Sequence, residues 1–98
     1  MTNKSKLRKA EILRVALALA SKTGYMQITR QAVADRAACS PALVSEYFAT
    51  MPQLRRAVMS AAIAERELTV LAQGLAARDS KARSAPEALR REAVAGLM

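Results

Sequence analysis

With 98 residues the chain holds one domain, near the lower size limit for a self-sufficient core. Sixteen Lys and Arg oppose eight Asp and Glu, and the net charge of +8 favours polyanions, nucleic acid before an anionic membrane surface. One cysteine, Cys39, and no histidine exclude an intrachain disulfide, an all-cysteine metal site, and most zinc and general-base chemistry.

From residue 5 to 23, Leu7, Ile12, Leu13, Ala16, Leu17, Leu19 and Ala20 recur at helical spacing, which predicts a first helix closed by Gly24. Tyr25 and Ile28 are expected to pack back on it. Thr29 caps a second helix over 30–37, with Val33, Ala34 and Ala37 inward. Ser40 caps a third over 41–48, with Pro41 in its first turn and Val44, Tyr47 and Phe48 on its apolar side. A fourth helix starts near Thr50, Met51 and Pro52. The series Leu54, Val58, Met59, Ala62, Ile63, Leu68, Leu71 and Leu75 extends it to residue 78, although its apolar face shifts midway and Gly74 weakens its end. Residues 79–85 read as a polar loop. Ser84 and Glu87 form a capping-box signature with Pro86 in the first turn, and Leu89, Val94 and Leu97 mark a fifth helix. No segment alternates with period two, so the fold class is all-α.

The basic charge is uneven. Residues 1–30 carry seven basic side chains against Glu11 alone, whereas residues 61–98 carry six basic and five acidic groups. A polyanion therefore meets the N-terminal half. No run approaches the roughly 18 apolar residues of a membrane span, and the apolar stretch at 15–20 is too short and periodic for a signal peptide. No membrane partner is expected, and the reading is a cytoplasmic protein. No set of base, nucleophile and metal ligands can be assembled, so neither an enzyme nor a cofactor is expected.

The second and third helices are separated by only Ala38, Cys39 and Ser40, too tight a link for antiparallel packing. A steep crossing suits a helix-turn-helix, in which the second helix enters the major groove with its N-terminal residues at base edges. Small Ala34 and Ala38 permit the approach, and Val33, Cys39 and Val44 supply apolar anchors.

The segments ILRVALALASKTGY and ITRQAVADRAACSPALVSEYF, followed by a helix opened near TMPQL, resemble the DNA-binding domain of the TetR family of repressors over about residues 8–63. Gly24-Tyr25, Thr29, Ser40 and Tyr47-Phe48 carry the likeness by their joint spacing. Ala38 stands where the family usually has glycine, Ser45 where tyrosine is common, and Met51 where a basic residue is typical. The resemblance implies a homodimeric repressor on an inverted-repeat operator of double-stranded DNA. On this reading residues 1–51 form the DNA-binding domain, and residues 52–98 a helical dimerisation extension packed as one unit with it. About 35 residues follow Ile63, too few to enclose a ligand pocket of roughly 300–1,000 Å³, so no small-molecule effector is expected.

The expected DNA-contacting set is Thr29, Arg30 and Gln31 on the second helix, Ser40, Pro41, Ala42, Leu43, Ser45, Glu46 and Tyr47 on the third, Lys4, Lys6 and Arg8 in a basic N-terminal arm, and Arg55. Thr29 serves as a cap and a phosphate contact alike. Arg30 meets a guanine or a phosphate. Leu43, expected to face outward, suits a thymine methyl or another subunit. Glu46 accepts from cytosine N4 or, slightly favoured, pairs with a neighbouring Arg. Tyr47 reaches a phosphate or packs in the core. Arg55, with Arg56, compensates for Met51 if it faces the DNA. Cys39 is read as core packing. The alternatives in other classes are a helical protein–protein interaction module, acting as adaptor or anti-repressor, and an architectural DNA-binding protein.

Overall fold

A computed structural model describes residues 2–96. It contains seven helices among the described residues: α1 (Thr2–Thr23), α2 (Arg30–Arg36), α3 (Pro41–Tyr47), α4 (Met51–Ala64), α5 (Leu68–Ala76), α6 (Ser80–Arg83) and α7 (Glu87–Ala95). The all-α expectation holds. None of the described helices is long and apolar enough to cross a membrane.

The end of α1 and the starts of α2, α3 and α4 follow the sequence signals. Gly24 sits at φ +102°, where an L side chain would be strained, and its N–H donates to the Ala20 carbonyl at 2.8 Å to close α1. Thr29, Ser40 and Thr50 each cap a helix, accepting from the N–H groups of Ala32, Leu43 and Gln53. Pro41 and Pro52 occupy first turns, where a missing N–H costs nothing.

The C-terminal part departs from the sequence reading. The single helix expected to reach residue 78 is two helices. The chain turns at Glu65, Arg66 and Glu67, with Arg66 at φ +58°. The segment expected to be a loop contains α6, whose N–H groups at Lys81 and Ala82 are accepted by the Asp79 carboxylate. Ser84 does not cap α7. It ends α6, and its hydroxyl donates to the Lys81 carbonyl at 2.6 Å. Pro86 is the residue before α7 and lies outside its first turn. Val94 is 45% exposed, and Leu89 and Ala93 carry the buried side of α7 instead. Leu97 lies outside the described residues.

Three helices end in the same way without glycine. After α2, α4 and α5 the chain enters the left-handed region at Ala38 (φ +55°), Arg66 (φ +58°) and Arg78 (φ +59°). In each, the following N–H reaches back five residues: Cys39 to Ala34 at 3.0 Å, Glu67 to Ala62 at 2.8 Å and Asp79 to Gly74 at 2.8 Å. These are Schellman closures, in which the reversed residue lets otherwise unpaired helix carbonyls find donors.

α1 packs on α2, α4 and α5, while α5 also holds α6 and α7. The shared core runs through Ile12, Ala16, Val33, Val44, Leu54, Val58, Met59 and Leu71 without a buried polar residue among those described. Gly74 is a close-approach site rather than a weak end. A Cβ built there would lie 2.4 Å from Met59 Cε and 2.7 Å from Ala82 Cβ, so α4, α5 and α6 meet over a bare backbone. Helices α4 and α5 pack against α1, and among the described residues one buried cluster runs from Ile12 to Ala93.

Candidate nucleic-acid interface

The α2–turn–α3 unit is anchored from within and open outside. Val33, Ala34, Val44 and Phe48 are buried, whereas Thr29, Gln31, Ala38, Ser40, Ala42 and Glu46 are exposed. The turn itself is the Ala34–Cys39 closure, and half-buried Cys39 packs against the core below it.

Both caps retain chemistry beyond capping. The Thr29 hydroxyl oxygen accepts from Ala32 N–H at 3.1 Å, and the Ser40 hydroxyl accepts from Leu43 N–H at 3.1 Å. A hydroxyl that accepts once still has its O–H to donate. Each exposed cap can therefore serve a helix and an incoming acceptor together.

The rest of the expected set is placed less uniformly. Gln31 donates to Asp35 at 2.8 Å, so its amide is held on the exposed side of α2. Arg30 is half-buried, and its Nε meets no acceptor among the described residues. Pro41 and Ser45 are half-buried. Leu43, expected to face outward, is half-buried against the core, because the short α3 must lean on its neighbours along both flanks of Val44. Glu46 is exposed and forms no ion pair among the described residues, so the pairing with a neighbouring Arg is not present. Tyr47 is half-buried and lines a surface groove with Lys4, Leu7, Arg8 and Glu11.

The basic N-terminal segment is helical. Lys4, Lys6 and Arg8 belong to α1, and no extended arm is present over these positions. Arg8 pairs with Glu11 at 3.3 Å, and Leu7 is 66% exposed. Lys9, outside the expected set, stands 5.4 Å from the centre of the Phe48 ring, an arrangement in which the ring face attracts the cation. This contact ties α1 to the end of α3 and keeps a positive charge beside it. Lys9 was visible only as one member of a charge run.

Arg55 is grouped differently. It lines a cleft with Tyr25, Arg56, Asp79 and Lys81, where α4 meets the α1–α2 corner and α6. Tyr25 is buried there, its hydroxyl donating to Asp79 Oδ2 at 3.4 Å. Burial, and then the Asp79 charge, push its phenol above the ordinary value of 10.0, against a smaller opposing pull from Arg55.

Compared with known protein families, residues 12–58 match the bacterial regulatory proteins of the tetR family. No curated protein and no solved structure matches the chain. The matched segment begins at buried Ile12 and ends at buried Val58, enclosing both caps and the turn between them.

Proposed function

We propose, from the match of residues 12–58 to the amino-terminal DNA-binding domain of the tetR family of bacterial regulatory proteins, that the chain is a DNA-binding transcription regulator, a homodimer that binds an inverted-repeat operator and represses by occluding a promoter. α3 enters the major groove, with Ser40, Pro41, Ala42, Ser45 and Glu46 at its open side. Thr29, Arg30 and Gln31 meet the flanking backbone from the start of α2. Lys4, Lys6 and Arg8 on α1 and Tyr47 on α3 line a second backbone contact, supported by the groove that Lys4, Arg8 and Tyr47 share. Leu43 contributes a partial apolar edge that suits a thymine methyl.

The observation that carries this reading is the pair of capped, exposed helix starts at Thr29 and Ser40, joined by a turn held between buried Val33 and Val44. Two such units related by a twofold axis would address half-sites one helical turn apart, roughly 34–36 Å. The pairing is assigned to the 52–98 extension, where Val94 is exposed beside half-buried Leu75 with a charged rim of Glu87 and Arg91.

Selection of bound sequences from a random duplex pool, at about 150 mM salt to suppress purely electrostatic binding, tests the proposal. One enriched inverted repeat is expected, with enrichment lost in Arg30→Ala and Leu43→Ala. Sedimentation should give a dimer that Val94→Asp splits. A folded protein that enriches no motif would remove the regulator reading and favour the interaction module.

A further inference from the structure

The cleft that holds Arg55 lies outside the α2–α3 pair. Its volume is about 200 Å³, and Arg55, Arg56 and Lys81 supply three cations to its wall against one carboxylate, Asp79. That carboxylate is already engaged. Its Oδ1 accepts from Lys81 N–H at 2.9 Å and Ala82 N–H at 3.0 Å, and its Oδ2 accepts from the Tyr25 hydroxyl. Among the described residues the ion pairs are Arg8–Glu11, Arg66–Glu92 and Arg91–Glu87, so none of the three cleft cations is neutralised by a carboxylate. Arg55 Nε is shielded from solvent and meets no acceptor among the described residues. A buried donor without an acceptor is a standing cost that a bound acceptor removes. The cleft thus has charged donors in surplus and its one carboxylate already in use.

We propose that this cleft binds a phosphoryl group, carried either by a small phosphorylated molecule or by the DNA backbone. Guanidinium groups match phosphate oxygens in a fork, and a lysine adds a point charge, which is the donor set present. The volume is below the roughly 300–1,000 Å³ of sites that enclose a whole small molecule. The cleft therefore takes the charged group and leaves the remainder of the ligand outside. Tyr25 forms one wall and begins the corner that leads to Thr29, so an occupied cleft borders the start of α2. The DNA arm rests on the function proposed above, whereas the free-ligand arm does not.

The test is titration of the full chain with pyrophosphate at constant ionic strength, followed by melting temperature and amide NMR shifts. Saturable stabilisation is expected, with shifts at Tyr25, Arg55 and Lys81. Arg55→Gln and Lys81→Gln should each weaken binding about tenfold, as loss of a charged hydrogen bond does. Arg83→Gln, on the same short helix but outside the cleft, should leave it intact. If pyrophosphate does not bind, salt dependence of duplex binding decides the other source. A log–log slope lowered by about 1 in Arg55→Gln and in Lys81→Gln, but not in Arg83→Gln, assigns the cleft to the backbone. No pyrophosphate binding together with unchanged slopes, or equal changes in all three variants, overturns the proposal. Lys81 is exposed, so its variant carries the test even if Arg55→Gln does not fold.

Discussion

Gln73 and Tyr25 lie 48 residues apart, yet the Gln73 side-chain oxygen accepts the Tyr25 main-chain N–H at 2.8 Å. The same amide donates through Nε2 to the Ala20 carbonyl at 3.0 Å, so one α5 side chain ties the last turn of α1 to the corner that follows it. Gln73 lies outside the matched segment 12–58, which makes the corner dependent on the C-terminal helices.

Replacing Gln73 with Ala leaves the part-buried Tyr25 N–H without a partner, while the Ala20 carbonyl keeps only the Gly24 N–H. A stability loss of about 2 kcal/mol is expected, measured by urea denaturation. Amide exchange at Tyr25 should accelerate by more than exchange in the middle of α7. If the two accelerate equally, the corner is not specifically held by Gln73.

The three reversed residues give a second expectation. An L residue in the left-handed region is disfavoured by roughly 1–2 kcal/mol, while glycine adds freedom to the unfolded chain at about 0.4–1 kcal/mol. Ala38→Gly, Arg66→Gly and Arg78→Gly should therefore each stabilise by several tenths of a kcal/mol or more. Arg66→Gly should gain least, since Arg66 also pairs with Glu92 across to α7. A loss of stability in Ala38→Gly, which has no side-chain contact to forfeit beyond a methyl, would contradict the assignment of strain to the backbone.

Those residues also explain where the sequence was legible. Gly24, Thr29, Ser40 and Thr50 are residue types whose own chemistry marks a helix end, so α1 to α4 could be placed from them. The break at Arg66 carries no such mark, because an arginine stands where glycine would announce the turn. Only the midway shift of the apolar face hinted at it. Ser84 and Glu87 have the spacing of a capping box, but Asp79 caps a helix first and leaves Ser84 as that helix's C-cap. In the candidate interface, the caps and the exposure of Ala42 and Glu46 on α3 were readable, whereas Pro41 and Ser45 are half-buried. The half-burial of Leu43 and the Gln73 contact were not readable, since each depends on packing between distant segments.

Gly74 supplies a packing test. Gly74→Ala puts a methyl against Met59, whose flexible end can move, and against Ala82 Cβ, which cannot move without shifting α6. Overpacking of this kind costs about 1–3 kcal/mol. The double variant Gly74→Ala with Ala82→Gly should recover part of that loss in urea denaturation. No loss in the single variant would mean that α6 is free to shift, and with it Asp79 and its contact to Tyr25.

Thr29 and Ser40 allow capping to be separated from DNA contact. Alanine removes both functions, and each Ala variant should lose about 1 kcal/mol of stability. Aspartate keeps the first. Its carboxylate is as good an N-cap acceptor, and its charge is favourable at a helix start. It also removes the hydroxyl donor and adds a negative charge where a phosphate would approach. Thr29→Asp and Ser40→Asp should therefore unfold within about 0.5 kcal/mol of the unmodified chain while binding duplex DNA at least about tenfold more weakly, read by fluorescence anisotropy. Affinity falls while stability is kept only if the caps face the polyanion. Aspartate variants that keep both stability and DNA affinity would reduce Thr29 and Ser40 to structural caps and would move the interface away from the starts of α2 and α3.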